Sequence, residues 1–380
     1  MGHMTHDILI IGGGINGCAI AREAALLGLR VLLVERDDLA SHTSSASSKL
    51  IHGGLRYLES YEFRLVREAL HERERMIAAA PHLIHPMAFV LPHAHSVRPW
   101  WMVRAGLYLY DLLGLGSSLP RSRALRRDDP RLAPLTPDTG GFLYWDAQVD
   151  DAALVRANAA DAVANGATVE TGVAVVDARR GKAGWDVTLS DGRVVQVRAL
   201  VNAAGPWVRE LLDTLRVPTD SGLRLIKGSH IVVPALWQGD HAYILQQPDR
   251  RVVFATPWQG QTMIGTTDVP VDGPGDAGID AAEIDYLCAA ASRYFRKGVT
   301  PADVTGTWSG IRALYDDGAG EARAITRDYM LELDERRAPV LSVFGGKITT
   351  ARALAEHALA KLAPVLGFAA RPVTRDRRLP

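Results

Sequence analysis

The sequence has little of what several classes of protein depend on. Only two of its 380 residues are cysteines, Cys18 and Cys288, which excludes a disulfide framework and a cysteine-rich metal cluster. Basic and acidic residues balance at 43 each, so no overall charge favours nucleic acid as a partner. With 47% hydrophobic residues, the composition is that of a globular chain. We therefore predict a globular protein of the reducing cytoplasm that binds neither a metal ion nor nucleic acid.

The sequence also lacks an apolar run long enough to cross a bilayer. In the most apolar stretch, residues 99–113, Arg104 and Asp111 interrupt the run before it reaches spanning length. Residues 96–131 hold seven arginines against three aspartates, and Trp100 and Trp101 lie among them. This mixture suits the headgroup region of a membrane, and the alternative is a buried helix followed by a solvated basic loop. No signal-peptide pattern opens the sequence, which agrees with a cytoplasmic location.

The N-terminal segment has the pattern of a dinucleotide-binding unit. An apolar run at residues 8–11 precedes Gly12, Gly14 and Gly17, and a second apolar run at residues 31–34 ends at Glu35. The glycines allow a tight turn, close approach of a diphosphate, and close packing of helix on strand. The Glu35 carboxylate would accept hydrogen bonds from an adenosine ribose and repel a 2′-phosphate. The position at the N-terminus favours FAD over NAD, although the motif is compatible with both.

The remaining sequence predicts an α/β chain whose two parts are interleaved. Helical spacing is found at residues 61–77, 150–164 and 281–295, and in a last helix that reaches residue 362. Strand patterns are found at residues 168–176, in a hairpin at 184–201, in several segments from 223 to 268, and near 304–311, 324–333 and 340–344. The segments from 223 to 268 suggest an antiparallel sheet, and no low-complexity linker separates them from the rest.

The loop at residues 43–58, TSSASSKLIHGGLRYL, is rich in hydroxyl groups and backbone donors, which suit a diphosphate and a polar ring. Together with the glycines of residues 12–17, it resembles the FAD-dependent, aerobic respiratory glycerol-3-phosphate dehydrogenases. The resemblance continues through residues 224–230, 264–268, 309–312, 324–329 and 344–350. It therefore covers nearly the whole chain.

The resemblance implies a fold. It is a Rossmann-like FAD-binding domain of glutathione-reductase type, interleaved with an antiparallel β-sheet substrate domain of D-amino-acid-oxidase type. We assign residues 7–90, 150–222 and 300–365 to the FAD-binding domain, and residues 91–149 and 223–299 to the substrate domain. The helical C-terminal cap domain of these dehydrogenases is absent from the sequence, so we expect either a truncated chain or a cap-less form. A homodimer is an assembly that the resemblance allows.

The resemblance also implies an activity. The expected reaction is oxidation of sn-glycerol 3-phosphate at its C2 hydroxyl to dihydroxyacetone phosphate, with hydride passing to flavin N5. Electrons would then pass to ubiquinone or another quinone, which implies a peripheral association with the inner face of the cell membrane. An oxidase that uses O₂, an amine or hydroxy-acid oxidase of the same fold, and a non-enzymatic FAD-binding protein are the alternatives.

Several cations are expected to converge on the substrate phosphate, because Arg and Lys side chains bind a small dianion. By resemblance, the substrate-binding residues are Arg56, Tyr57, Arg312, Arg327 and Lys347. The catalytic candidates are His230, Arg312 and Lys347. The ordinary pKa of histidine suits His230 to accept the hydroxyl proton, whereas Arg312 or Lys347 could instead stabilise the developing alkoxide.

The FAD contacts divide into two groups. The N-terminal glycines and Glu35 follow from the motif, and the other contacts follow from the resemblance. The full set is Gly12, Gly14, Gly17, Glu35, Thr43, Ser44, Ser48, Lys49, Leu50, His52, Val173, Ala203, Gly205, Trp207, Gly310, Gly346 and Thr349.

Overall fold

Two large β-sheets organise the protein in a computed structural model that describes residues 6–136, 139–275, 277–316 and 329–380. The α-helices in these residues are α1 (Ile15–Leu26), α2 (Phe63–Ala79), α3 (Trp100–Leu113), α4 (Asp151–Ala164), α5 (Val208–Thr214), α6 (Ala281–Ser292) and α7 (Ala351–Leu366). The strands are β1 (His6–Ile11), β2 (Val31–Val34), β3 (Leu50–Ile51), β4 (Ile84–Pro92), β5 (Arg123–Leu125), β6 (Gly141–Val149), β7 (Thr168–Glu170), β8 (Val175–Arg180), β9 (Trp185–Leu189), β10 (Val194–Asn202), β11 (Gly222–Pro234), β12 (Ala242–Gln246), β13 (Val252–Trp258), β14 (Gln261–Gly265), β15 (Val269–Val271), β16 (Gly306–Asp316), β17 (Met330–Asp334) and β18 (Val340–Phe344). Short 3₁₀ helices include Leu55–Ser60 and Ile348–Thr350.

The first sheet is built around the N-terminal strand. Its order is β17-β18-β10-β1-β2-β7, and the hairpin partner β9 extends it from β10 to β8. β1 pairs in parallel with β2 and with β10, and β10 pairs in parallel with β18. Parallel strands of this kind are covered on both faces, which explains their continuous apolar runs. On one face α1 packs against α4 and α7, so α1 is buried almost all round.

The second sheet is mainly antiparallel. Its order is β15-β11-β14-β13-β12-β4-β6-β3, with β16 paired to β11 and β5 paired to β6. The long pair β11–β16 runs in register from Gly222 opposite Asp316 to Val232 opposite Gly306. One face packs on α6 through Leu287 and on the segment after it through Tyr294, and the other packs on α2 and α3 through residues such as Leu70 and Leu107.

The predicted α/β architecture with one nucleotide-type sheet and one antiparallel sheet is confirmed. The strands that were not predicted are β3, β4, β5, β6 and β15, and the strand predicted at residues 168–176 is two strands, β7 and β8. Of the strand predicted at 324–333, residues 324–328 lie outside the described residues. Strands β3 and β16 and most of β4 belong to the second sheet although they fall within segments assigned to the FAD-binding domain. The division into domains stays a prediction.

Helix α3 is the apolar segment that the sequence analysis singled out. It buries only Leu107 and Tyr110. Trp101, Tyr108 and Leu112 are exposed, and their spacing places them on one side of the helix. Among the described residues, no helix has both the length and the hydropathy that a bilayer span requires.

Candidate active site

A cavity of about 1060 Å³ is lined by residues from both sheets. Most of the predicted site residues line it, although they come from distant parts of the chain. These residues are Gly12, Gly14, Glu35, Thr43, Ser44, Ser48, Leu50, His52, Arg56, Tyr57, Val173, Ala203, Gly205, Trp207, His230, Gly310, Arg312, Gly346, Lys347 and Thr349. Gly17 and Lys49 do not line the cavity, and Arg327 lies outside the described residues. The functional role of each residue stays a prediction.

The β1–α1 turn forms the floor of one end of the cavity. A Cβ on Gly12 would lie 2.5 Å from the carbonyl oxygen of Ala203, and a Cβ on Gly17 would lie 1.9 Å from the carbonyl oxygen of Gly12. Only glycine fits at these two positions. Gly17 therefore allows α1 to pack closely against the turn at Gly12. Gly14, the N-cap residue of α1, has no side chain with which to cap the helix, and the dipole and N–H groups at this end favour an anion there.

Glu35 is a buried carboxylate at the end of β2. Its Oε2 accepts the Gly13 N–H at 2.6 Å, and its Oε1 accepts the Asp37 N–H at 2.9 Å. These two bonds fix the side chain beside the glycine turn. The backbone N–H of Val173 donates to the Glu35 carbonyl at 2.9 Å, which brings this predicted FAD contact to the same end.

Trp207 closes this end of the cavity from another segment. The Arg36 guanidinium lies 4.1 Å from its ring centre, and the His42 ring lies 4.7 Å away. A cation over an indole face is an attractive contact, so the ring is held in place rather than free to rotate. The sequence prediction named Trp207 but not Arg36 or His42.

The loop that carries residues 43–52 crosses from the first sheet to the second. The Ser44 hydroxyl accepts the Ile15 N–H at 3.0 Å, and the Thr43 hydroxyl donates to the Ile311 carbonyl at 2.7 Å. Lys49 is buried, and its ammonium donates to Asp151 at 2.6 Å and to the Ser45 carbonyl at 2.9 Å. Lys49 therefore holds the loop in place from behind.

His230 lies on β11 in the wall of the cavity. Its Nε2 lies 2.9 Å from the Ser48 hydroxyl, and its ring stacks on Trp308 with centroids 5.4 Å apart. Its Nδ1 is buried and has no hydrogen-bond partner among the described residues. Burial, with the positive charges of Arg312 and Lys49, lowers the pKa of His230 to about 3. The imidazole is therefore neutral at physiological pH and able to accept a proton.

Cationic side chains reach the same cavity from three segments. Arg312 on β16 donates to Asp268 at 2.6 Å and to the Thr267 carbonyl at 2.9 Å. The ammonium of Lys347, just before the Ile348–Thr350 helix, lies 4.1 Å from the ring centre of Tyr57. Arg56 is exposed at the same cavity. This arrangement suits a small dianion beside a polar ring.

Two lining residues with chemical consequence were missed by the sequence analysis. Asn16 donates to the Gly345 carbonyl at 3.2 Å, and its Oδ1 is buried without a partner among the described residues. Its place inside the glycine motif could have identified it. Asp268, the partner of Arg312, belongs to the matched segment 264–268, but a carboxylate by itself does not indicate a phosphate site.

The lining residues fit FAD. A Cβ on Gly12 or Gly17 would clash with backbone atoms, Gly14 gives α1 no side-chain cap, and Asn16 Oδ1 has no hydrogen-bond partner among the described residues. Glu35 lies where a ribose would bind, and the Gly345–Gly346 segment precedes Lys347 at the other end. A carboxylate at one end and a cation at the other match an adenosine and a flavin ring joined by a diphosphate.

Comparison with known proteins agrees with this site. The family described as FAD dependent oxidoreductase matches residues 7–352. The D-erythritol 1-phosphate dehydrogenase of Brucella abortus (strain 2308) is 50% identical over 99% of this chain and 77% of its own. The glycerol-3-phosphate dehydrogenase of Pseudomonas aeruginosa is 53% identical over 95% of this chain and 72% of its own.

A solved structure shows the same fold. The glycerol-3-phosphate dehydrogenase of Bacillus halodurans, solved as a complex with FAD, aligns with a TM-score of 0.77 and 28% identity. The alignment covers all of this chain and 68% of that one. The predicted fold class, cofactor and enzyme class are thereby confirmed. The chain belongs to the FAD dependent oxidoreductases, and within them to the group that contains the glycerol-3-phosphate dehydrogenases.

Proposed function

We propose that this protein oxidises sn-glycerol 3-phosphate at its C2 hydroxyl to dihydroxyacetone phosphate. The observation that carries the proposal is the convergence of Arg56, Arg312 and Lys347 on the cavity that also contains the dinucleotide residues. An amine or amino-acid oxidase would need a carboxylate clamp beside an apolar amine pocket, which three cations do not supply. When bound, FAD accepts the hydride that leaves C2.

The cations bind and orient the substrate. Arg312 is already held by Asp268, so its guanidinium is pre-organised at the cavity that it lines. Lys347 lies at the N-terminal side of the Ile348–Thr350 helix that leads into α7. Positive charge at this point stabilises an alkoxide that develops at C2 as its proton leaves. Tyr57, held against Lys347, supplies a hydroxyl donor.

His230 is the proposed proton acceptor. A buried neutral imidazole with a pKa of about 3 is a weak base while the phosphate is absent. A dianion beside Arg312 opposes the positive charge that lowers this pKa, so substrate binding makes His230 a stronger base. Ser48 fixes the orientation of the ring through Nε2.

The test is anaerobic stopped-flow absorbance of the FAD-loaded protein mixed with sn-glycerol 3-phosphate. We expect the oxidised flavin band to bleach. A band that stays unchanged at saturating substrate contradicts the proposed substrate. If the protein is instead a non-enzymatic FAD-binding protein, no phosphorylated polyol should bleach the flavin band.

D-Erythritol 1-phosphate is the second candidate substrate. The relative that acts on it, by name, matches this chain over 99% of its length, slightly more than the P. aeruginosa glycerol-3-phosphate dehydrogenase does. The two substrates share a phosphate and a secondary alcohol, so the same cations serve both. The ratio of the two kcat/KM values, measured with one artificial acceptor, decides between them.

A quinone is the proposed electron acceptor. Besides its polar lining, the cavity has an apolar arm between the Leu55–Ser60 helix and α3. Its walls are Leu55, Leu58, Met102, Val103 and Leu109, which suit an apolar ring. Substrate-dependent reduction of a short-chain ubiquinone without stoichiometric peroxide is the expected result. Stoichiometric peroxide under air would favour an oxidase.

The exposed side of α3 is the proposed contact with the inner face of the cell membrane. Trp101 is 67% exposed and Tyr108 is 62% exposed, so a large aromatic surface faces outward. The basic segment is fastened to this helix, since the Ser122 hydroxyl donates to Asp111 at 2.6 Å and accepts from Arg104 at 3.0 Å. Aromatic and basic groups side by side match an anionic lipid surface.

Charge neutralisation tests the membrane contact. The variant changes Arg121, Arg123, Arg126 and Arg127 to Gln. Each arginine near an anionic surface contributes about 1 kcal/mol, so binding to vesicles that contain phosphatidylglycerol should weaken at least about tenfold in a sedimentation assay. The control changes four exposed arginines elsewhere, Arg156, Arg179, Arg216 and Arg337, and should bind nearly as the parent does. Equal binding by both variants contradicts the proposal.

A further inference from the structure

A buried hydrogen-bonded cluster lies directly behind the loop that carries Arg56 and Tyr57. Its centre is Tyr110 on α3, whose hydroxyl donates to Asp146 on β6 at 2.8 Å and accepts the Gly53 N–H at 2.9 Å. The same N–H lies 3.3 Å from Asp146 Oδ1. Tyr110 and Asp146 are 2% and 1% exposed, so bulk water does not compete for these bonds.

Arg73 on α2 completes the cluster. Its Nη1 donates to Asp146 at 2.7 Å and to the Trp145 carbonyl at 3.0 Å. Burial raises the pKa of Tyr110 well above its usual value, and the charge of Asp146 adds to this shift. The Tyr110 hydroxyl therefore keeps its proton and donates a hydrogen bond to Asp146, which leaves an oxygen lone pair for the Gly53 N–H. The direction of each hydrogen bond is thus fixed.

The Gly53 peptide joins the two ends of the site. On its N-terminal side, His52 lines the cavity and its N–H lies 3.4 Å from the Thr349 hydroxyl oxygen. On its C-terminal side, the Leu55–Ser60 helix carries Arg56 and Tyr57 into the cavity. A displacement at Gly53 therefore moves a predicted flavin contact and two predicted substrate contacts together.

We propose that Tyr110, through Asp146 and Gly53, positions residues 52–57 for substrate binding and for contact with the flavin. Neither Tyr110, Asp146 nor Arg73 is among the residues that line the cavity, so each acts through the loop and not on the substrate. Three elements, α2, α3 and β6, meet at this point to fix one backbone N–H. The inference rests on the proposed function, because the substrate readout uses sn-glycerol 3-phosphate.

The test is Tyr110→Phe in the FAD-loaded protein. This change keeps the packed ring and removes the hydroxyl that accepts the Gly53 N–H. We expect KM for sn-glycerol 3-phosphate to rise about three- to tenfold while kcat changes less than about twofold, since a lost hydrogen bond misplaces binding groups. We also expect the visible circular dichroism of the bound flavin to change before any substrate is added.

The matched control is Tyr243→Phe. Tyr243 is also fully buried, its hydroxyl donates to the Arg131 carbonyl at 2.6 Å, and it is not among the cavity-lining residues. The Tyr243→Phe variant should lose stability without a change in KM or in the flavin spectrum. Parental KM and spectrum in Tyr110→Phe, or the same changes in both variants, overturn the inference. If the parent protein does not oxidise sn-glycerol 3-phosphate, the proposed function fails and the flavin spectrum still decides the positioning role.

Discussion

Single buried ionisable residues do most to define the two ends of the cavity. Glu35 is held in place where the ribose is expected, because two backbone N–H groups donate to its side-chain oxygens. His230 is kept neutral by burial and by the cations near it. The position of Glu35 beside the glycine turn could be predicted because the motif fixes its distance from the glycines. The environment of His230 could not, since Trp308 and Ser48 reach it from segments far along the chain.

Glu35→Gln should weaken FAD binding. The amide keeps the shape of the side chain but loses the charge, and charge-assisted hydrogen bonds contribute about 1.5–3 kcal/mol. We expect the Kd of FAD, measured by recovery of flavin fluorescence on dilution, to rise at least about tenfold. Glu170→Gln, on the adjacent strand β7 and outside the cavity lining, is the control and should keep the parental Kd. An unchanged Kd in Glu35→Gln contradicts the assignment.

His230 should make the protein sensitive to acid. Its pKa is about 3 in the folded state and 6.5 for the unperturbed side chain, so below pH 6.5 only the unfolded chain takes up the proton. The free energy of unfolding therefore falls as the pH drops from 6.5 towards 3, by about 2 kcal/mol at pH 5.

Urea unfolding of the FAD-loaded protein at pH 7 and pH 5 measures this effect. His230→Gln should lose less stability between the two pH values than the parent protein does. His82→Gln, at an exposed position, should behave as the parent. The same pH dependence in all three proteins would contradict the low pKa.

At the scale of elements, local patterns were predicted and distant pairings were not. The β1–α1–β2 unit could be predicted because an apolar run, a glycine turn and a second run follow one another. Strand β4 was missed since Pro86 and Pro92 lie in it, and proline argues against a strand interior. Its partners are β6 and β12, so its pairing depends on residues that a local pattern does not contain.

Helix α6 is joined to the second sheet through Glu283. Its carboxylate accepts from the Ser229 and Thr267 hydroxyls at 2.8 and 2.6 Å and pairs with Lys227 at 2.9 Å. Glu283→Gln leaves the buried Lys227 without its closest charge partner, so we expect a loss of about 2–4 kcal/mol in the free energy of unfolding. Asp285→Asn, exposed on the same helix, should change stability by less than about 0.5 kcal/mol. Equal stability of the two variants in urea would contradict this.

At the scale of the whole molecule, the arrangement of the two sheets explains why the site combines so many segments. The cavity is lined from the β1–α1 turn, from the loop at residues 40–48, from β11 and β16, and from residues 345–349. The resemblance to known dehydrogenases already predicted that these segments share one site, because the matched motifs run from residue 12 to residue 350. Apolar patterning alone could not have placed Arg312 and Lys347 on one cavity.

The pairing of β10 between β1 and β18 has a consequence for synthesis. β1 ends at residue 11, β10 ends at residue 202 and β18 ends at residue 344, yet the three are neighbours in one parallel sheet. Contacts between residues so far apart close large loops and form slowly. A nascent chain on the ribosome therefore cannot build the nucleotide half first and the other half afterwards. Until residues 340–349 have left the exit tunnel, the growing polypeptide has no completed place for its cofactor.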